Sequence, residues 1–328
     1  MDDGRGFDDG GNSMVMQAVV RRLLGLPLLL LLITLATFSL TLLLPGDPAE
    51  AAAGSDPTPA QIALARKVLN LDDPAPLRFV KWLGNAATGD FGTSAITGRS
   101  ITEEIKRRLP ITATIGLLAL LFAILLGTVT GVVQALFANR LPDRLLGVGV
   151  SLGLAIPNFW LATIFVAYFA VQLKWLPAIG YVGFGTDPVD WARHLVLPVL
   201  TLALFPAAEL ARQIRTGLLR VVDADYIRAA SARGLSKSRV IGKHALKNAA
   251  APAVTILGLR VGYLFAGSVV IENIFSIPGF GAYTLQAIQN RDVPVIQAVV
   301  LMSAIIVVLV SLIVDIVYTL LNPKVAIA

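Results

Sequence analysis

The run ITATIGLLALLFAILLGTVTGVVQALFA, residues 111–138, holds no charged residue from end to end. A bilayer core of ~30 Å needs about 20 apolar residues as a helix, because backbone groups there must satisfy one another. The run reads as a transmembrane helix and decides the fold class. Comparable runs lie on both sides of it. Residues 23–44 come first and end at Pro45-Gly46-Asp47-Pro48, a strong helix stop. Residues 145–173 form the third run, and residues 195–211 a shorter fourth with Glu209 near its end. Residues 252–271 are broken by Arg260, and residues 295–321 carry Asp315. Six spans put both termini on one side of the membrane.

Composition agrees. Of 328 residues, 56% are hydrophobic and only 15% are charged, whereas soluble domains carry roughly a quarter charged residues. A soluble reading is excluded. The net charge of +6 belongs to a membrane face rather than to nucleic acid. With no cysteine there is no disulfide or thiolate site, and His194 and His244 stand too far apart in sequence to suggest a metal centre.

Lys/Arg placement sets the orientation. Residues 212–247 hold nine basic residues against Asp223 and Asp225, whereas residues 45–110 hold eight of each sign. Arg21, Arg22, Arg140, Arg144 and Lys324 join the nine on one face, which the positive-inside rule makes cytoplasmic. The first, third and fifth spans then run from inside to outside. Residues 1–17 read as a disordered cytoplasmic tail and residues 18–44 as the first transmembrane helix, an uncleaved anchor because its apolar core exceeds that of a signal peptide. Residues 45–110 read as an extracytoplasmic helical cap. It holds short helices over 59–70, with Thr58 as cap, over 76–87 and over 100–109. Residues 111–325 form a five-helix core with a cytoplasmic loop at 212–251.

Within that loop, residues 225–233 and 237–248 read as two short helices meeting at Gly234, which suits a left-handed C′ position, with Ser236 capping the second. Ala229, Ala230 and Ala232 leave a small-residue surface that another protein can approach closely. Composition alone would make this an ordinary basic loop; the helix–Gly–helix order argues for a docking element. The pattern Arg228-Ala229-Ala230-x-x-x-Gly234 resembles the EAA loop of ABC-importer permeases, with Arg in place of Glu. The flanking Tyr226-Ile227, Leu235-Ser236 and His244-x-Leu246-x-Asn248 are similar to the dipeptide/oligopeptide/nickel branch, where that Arg is usual. So are Gly89-Asp90-Phe91-Gly92-x-Ser94, Arg108-Leu109-Pro110-x-Thr112, Ala155-Ile156-Pro157, Glu272-x-x-Phe275-x-x-Pro278-Gly279-x-Gly281, Arg291-Asp292-x-Pro294 and Asp315-x-x-Tyr318, which leads to Asn322-Pro323-Lys324. Asn322 stands where Asp is commoner.

The resemblance implies an all-α permease of the type I ABC importer fold that forms half of a translocation pathway. Its implied partners are a second homologous permease, two ATPases and an extracytoplasmic substrate-binding protein. The chain has no phosphate-binding Gly-x-x-x-x-Gly-Lys-Ser/Thr loop. It is therefore expected to be no enzyme and to carry no cofactor, with ATP and Mg on the partners. Tyr226, Arg228, Ala229, Ala230, Arg233, Gly234, Leu235 and Ser236 would form the ATPase-coupling element. Arg260, eight positions into its span and so about 12 Å deep, either lines the route or pairs with Glu209 or Asp315. Glu272, Phe275, Pro278, Gly279 and Asp292 are read either as an outer gate or as a packed turn. Peptide import is the first reading, with nickel or glutathione import beside it. A stand-alone secondary carrier lacks midplane carboxylates in the first three spans, and a membrane hydrolase lacks a paired nucleophile and base.

Overall fold

The computed structural model describes residues 8–42, 47–54, 56–68, 70–222 and 262–321. Helix dominates, and no strand occurs among the described residues beyond the isolated bridge Thr93–Ser100. The helices are α1 (Asp8–Leu42), α2 (Pro48–Ala53), α3 (Pro59–Val68), α4 (Ala75–Ala87), α5 (Ile101–Leu136), α6 (Leu141–Ala155), α7 (Asn158–Phe165), α8 (Pro188–Val222), α9 (Gly262–Ile274), α10 (Phe280–Gln289) and α11 (Val293–Leu321). A π-helical stretch, Val166–Gln172, continues α7. Four of the described helices are long and apolar enough to span a membrane, and the bent pair of α6 with α7 and its π turn makes a fifth.

Four expectations are corrected. Residues 145–173, read as one span, are two helices bent by 109°. The break falls at Ile156 (φ −82°, ψ 123°) before Pro157, since a proline ring clashes with a helical residue before it and pushes that residue to extended backbone. Residues 100–109 are no separate helix, because α5 runs unbroken through Pro110; a proline inside a long span is tolerated where neighbours satisfy the freed carbonyl. The basic loop does not begin at 212, since α8 continues to Val222 and carries Arg212, Arg215 and Arg220 as helix. In the same way α1 starts at Asp8, inside the stretch read as an unstructured tail. Extending an existing helix adds a hydrogen bond per residue without a new nucleation cost.

The chain divides into two units. One comprises residues 1–112 and 278–309, the other 113–277 and 310–328. In the first, Phe79 of α4 packs on Phe38 of α1 with ring centroids 5.3 Å apart. Thr58 and Gln61 cap α3 reciprocally: the Thr58 N–H donates to Gln61 Oε1 at 2.8 Å and the Gln61 N–H to Thr58 Oγ1 at 3.4 Å. In the second unit, α8 is the central element, with Leu197, Leu202, Ala203, Leu210, Ala211, Ile214 and Leu218 buried along it. Close approach is made possible by glycine. A Cβ on Gly127 would fall 2.7 Å from the Ala207 carbonyl oxygen, and one on Gly131 would fall 2.6 Å from that of Ala211. Helix α5 therefore meets α8 backbone to backbone, small residue against small residue.

Candidate functional site

At the end of α8, Arg215 meets Asp143, the third residue of α6, in a two-pronged ion pair. Nε donates to Oδ1 at 2.8 Å and Nη2 to Oδ2 at 2.7 Å. Asp143 is 6% exposed, so its charge requires such a partner. Its Oδ2 also accepts the Asn139 N–H at 2.9 Å. Asn139 takes φ 63°, a left-handed value that Asn tolerates, and turns the chain from α5 into α6. Gln134 of α5 donates to the Asp143 carbonyl at 3.4 Å. One carboxylate thus joins the end of α5, the start of α6 and the last turns of α8, immediately before residues 223–261. Gly153 of α6 adds a near contact, its built Cβ lying 3.1 Å from Ala208 Cβ.

In the same unit the turn after α9 closes on itself. The Ile277 N–H donates to the Glu272 carbonyl at 2.8 Å, and the Phe275 carbonyl accepts the Gly180 N–H at 2.8 Å. Glu272 and Phe275 are fully buried. Gly180 has φ 103° and abuts His194, whose Nδ1 contacts the Asp190 carbonyl at 2.8 Å. His194 is a packed structural residue.

In the other unit, Asp292 is buried between α10 and α11. Its Oδ2 accepts the Ser94 hydroxyl at 2.5 Å and its Oδ1 the Ala95 N–H at 3.1 Å. The Asp292 N–H closes α10 on the Ala287 carbonyl at 2.9 Å, after Arg291 at φ 55°. The Gly89–Ser94 segment is itself stapled to α5: the Phe91 N–H donates to Thr102 Oγ1 and that hydroxyl to the Gly89 carbonyl. Thr112 accepts the Phe280 N–H at 2.8 Å, beside the buried Gly279 and exposed Pro278. Arg108 lies 4.8 Å over the Tyr283 ring while its Nε holds Glu104 at 2.7 Å. Burial, with the negative charges of Asp292 and Glu104, pushes the Tyr283 hydroxyl up to about 12, so it stays a neutral donor.

The sequence motifs around residues 89–94, 108–112, 279–281 and 291–294 therefore meet in one place. Asp292 sits in a hydrogen-bonded socket. Tyr226, Arg228, Ala229, Ala230, Arg233, Gly234, Leu235, Ser236 and Arg260 lie outside the described residues. Asp143 is the residue that sequence reasoning missed. Its signal was a lone acid between Arg140 and Arg144, in a loop the positive-inside rule makes basic. Gly127, Gly131 and Gly153 each make a close approach to α8, whereas Gly149 has nothing within 4 Å. Among the described residues no cluster of His, Asp or Glu could hold a metal ion.

Comparison with known proteins gives this geometry its context. A family profile described as "Binding-protein-dependent transport system inner membrane component" matches residues 127–327, and that of its N-terminal part matches residues 15–116. A Brucella melitensis protein named for a peptide transport system permease is 38% identical over 312 residues, 95% of this chain and 99% of that one. The glutathione transport system permease protein GsiC of Escherichia coli K12 is 37% identical with the same coverage. Among solved structures, a chain of the MetNI methionine ABC transporter in an inward-facing conformation superposes with a TM-score of 0.54 at 18% identity, over 66% of this chain and 96% of that one. That likeness speaks to the fold. Two matching profiles and near-full-length relatives place the chain in the family of binding-protein-dependent transport system inner-membrane components, as the multi-pass permease subunit of an ABC importer.

Proposed function

We propose that this permease forms half of a translocation pathway for di- and oligopeptides in the cytoplasmic membrane. The observation that carries the cargo class is that relatives over 95% of the chain are named for peptide and for glutathione transport. Both cargoes are short peptides with amide bonds and free carboxylates. Glutathione is therefore the second reading, and the delivering binding protein selects between them. A second permease, two ATPases holding ATP and Mg, and that binding protein complete the assembly.

Residues 45–100 form the outer cap and residues 223–251 the ATPase-facing segment, with Tyr226–Ser236 as the docked element. The Asp143–Arg215 pair supports this reading physically. It fastens the helix that leads into residues 223–261 to α5 and α6, so a pull on that segment moves three helices as one rigid element. Arg260, Glu272, Phe275, Pro278, Gly279 and Asp292 belong to the pathway or its outer turn. Reconstituting the assembly in proteoliposomes with labelled dipeptide tests the proposal. ATP-dependent uptake that requires every subunit is the expected result. Uptake by the permeases alone along an ion gradient would replace it with a secondary carrier.

A further inference from the structure

A cleft of about 500 Å3 opens in the unit built from residues 1–112 and 278–309. Two span ends supply apolar parts of its wall, Leu42 of α1 and Pro294 of α11. They are tied together where Gln297 Nε2 donates to Thr41 Oγ1 at 3.2 Å. Another wall is one face of α4, which lines the cleft with Arg78, Lys81, Trp82 and Asn85 at i, i+3, i+4, i+7 spacing.

Its charges are unbalanced. Three cations line the cleft against one carboxylate, Asp47. Arg66 pairs with Asp47, and Lys81 pairs with Asp73 at 2.7 Å. Arg78 has no carboxylate partner among the described residues; its guanidinium lies 5.7 Å over the Phe38 ring. The indole Nε1 of Trp82 is buried with no hydrogen-bond partner. An indole nitrogen can only donate, and a buried donor left unmade costs ~1–3 kcal/mol. A guanidinium fork and an orphan N–H together call for an anion rich in acceptor oxygens.

The place of the cleft selects the anion. Leu42 ends one candidate span and Val293 begins another, so the cleft lies at the edge of the hydrocarbon, where lipid phosphates sit. On other parts of α4, Leu77 and Val80 are 44% and 64% exposed, as on a helix lying in the interface. We infer that the cleft holds the phosphate headgroup of an anionic phospholipid, with Arg78 and the Trp82 N–H as donors and an acyl chain against Leu42. The bound lipid pins α4 to one leaflet. This site is independent of the cargo and of the ATPase-facing segment.

The test purifies the full chain in its assembled complex from phosphatidylglycerol–phosphatidylcholine nanodiscs and counts retained lipids by native mass spectrometry. Wild type retains phosphatidylglycerol in preference by about fivefold, the factor that ~1 kcal/mol per interfacial basic residue supplies. Arg78→Gln removes the preference, while Arg99→Gln, which alters a cation outside the cleft, leaves it. Trp82→Phe keeps an aromatic ring while removing the donor along with the indole's second ring, and reads the same site if Arg78→Gln fails to assemble. Equal retention of the two lipids, or an unchanged preference in both cleft variants, overturns the inference. Competition by millimolar inorganic phosphate as effective as that by the lipid reassigns the cleft to a soluble anion and overturns the lipid as occupant.

Discussion

Two buried aspartates, one in each unit, are held in opposite ways. Asp143 is neutralised by a full positive charge, Arg215, brought from 72 positions away with one backbone N–H beside it. Asp292 is held by a hydroxyl and a backbone N–H, Ser94 and Ala95, with no cation within ion-pair distance among the described residues. The first is a joint between helices and fails when either partner is lost. The second is a socket shaped by a turn, in which several modest donors share the work. A charge pair is stiff and specific; a hydrogen-bonded socket is forgiving.

Breaking the joint gives the largest effect. Asp143→Ala leaves the guanidinium without its carboxylate, and loss of one partner of a buried pair costs ~3–5 kcal/mol. The 30% exposure of the Arg215 side chain places this case at the lower end. In a thermal melt of the detergent-solubilised complex, Asp143→Ala and Arg215→Ala each lower the midpoint, and the double variant costs less than their sum. Additive losses would show that the pair is incidental.

The next effect is steric. Gly131→Val drives a side chain into the Ala211 carbonyl and costs up to ~3 kcal/mol of overpacking, whereas Gly149→Ala, with nothing within 4 Å, stays within ~0.5 kcal/mol. Equal yields of folded Gly131→Val and Gly149→Ala would dissolve the α5–α8 contact.

The socket is expected to be gentler. Asp292→Ala costs ~2 kcal/mol, in the range for hydrogen bonds to a charged group, and Ser94→Ala about half of that. A loss on Ser94→Ala as large as that on Asp143→Ala would erase the distinction between the two. Smallest is Thr112→Val, which orphans the Phe280 N–H for ~1 kcal/mol and is read as faster hydrogen exchange at the start of α10.

The same contrast explains what the sequence discloses. Spans are legible because a charge-free run of the right length has one physical meaning, and the Thr58 cap is legible because it acts locally, on Gln61 three residues on. The bend at Ile156-Pro157 was available from the rule that a residue before proline avoids helix, but hydropathy runs straight through it. Asp143–Arg215 and Ser94–Asp292 were not legible as pairs, since their partners are 72 and 198 residues apart and no local period records such meetings. Where motifs quoted separately, at Ser94, Thr112 and Asp292, come together, it is three-dimensional packing that joins them.

We propose that residues 223–251 carry force from an ATPase to the helices fastened by Asp143–Arg215. Gly234→Val in the reconstituted complex tests it most directly, with ATP hydrolysis and peptide uptake measured on the same vesicles. Hydrolysis that continues while uptake is lost is the predicted result; uptake at the wild-type ratio of peptide to ATP would contradict it.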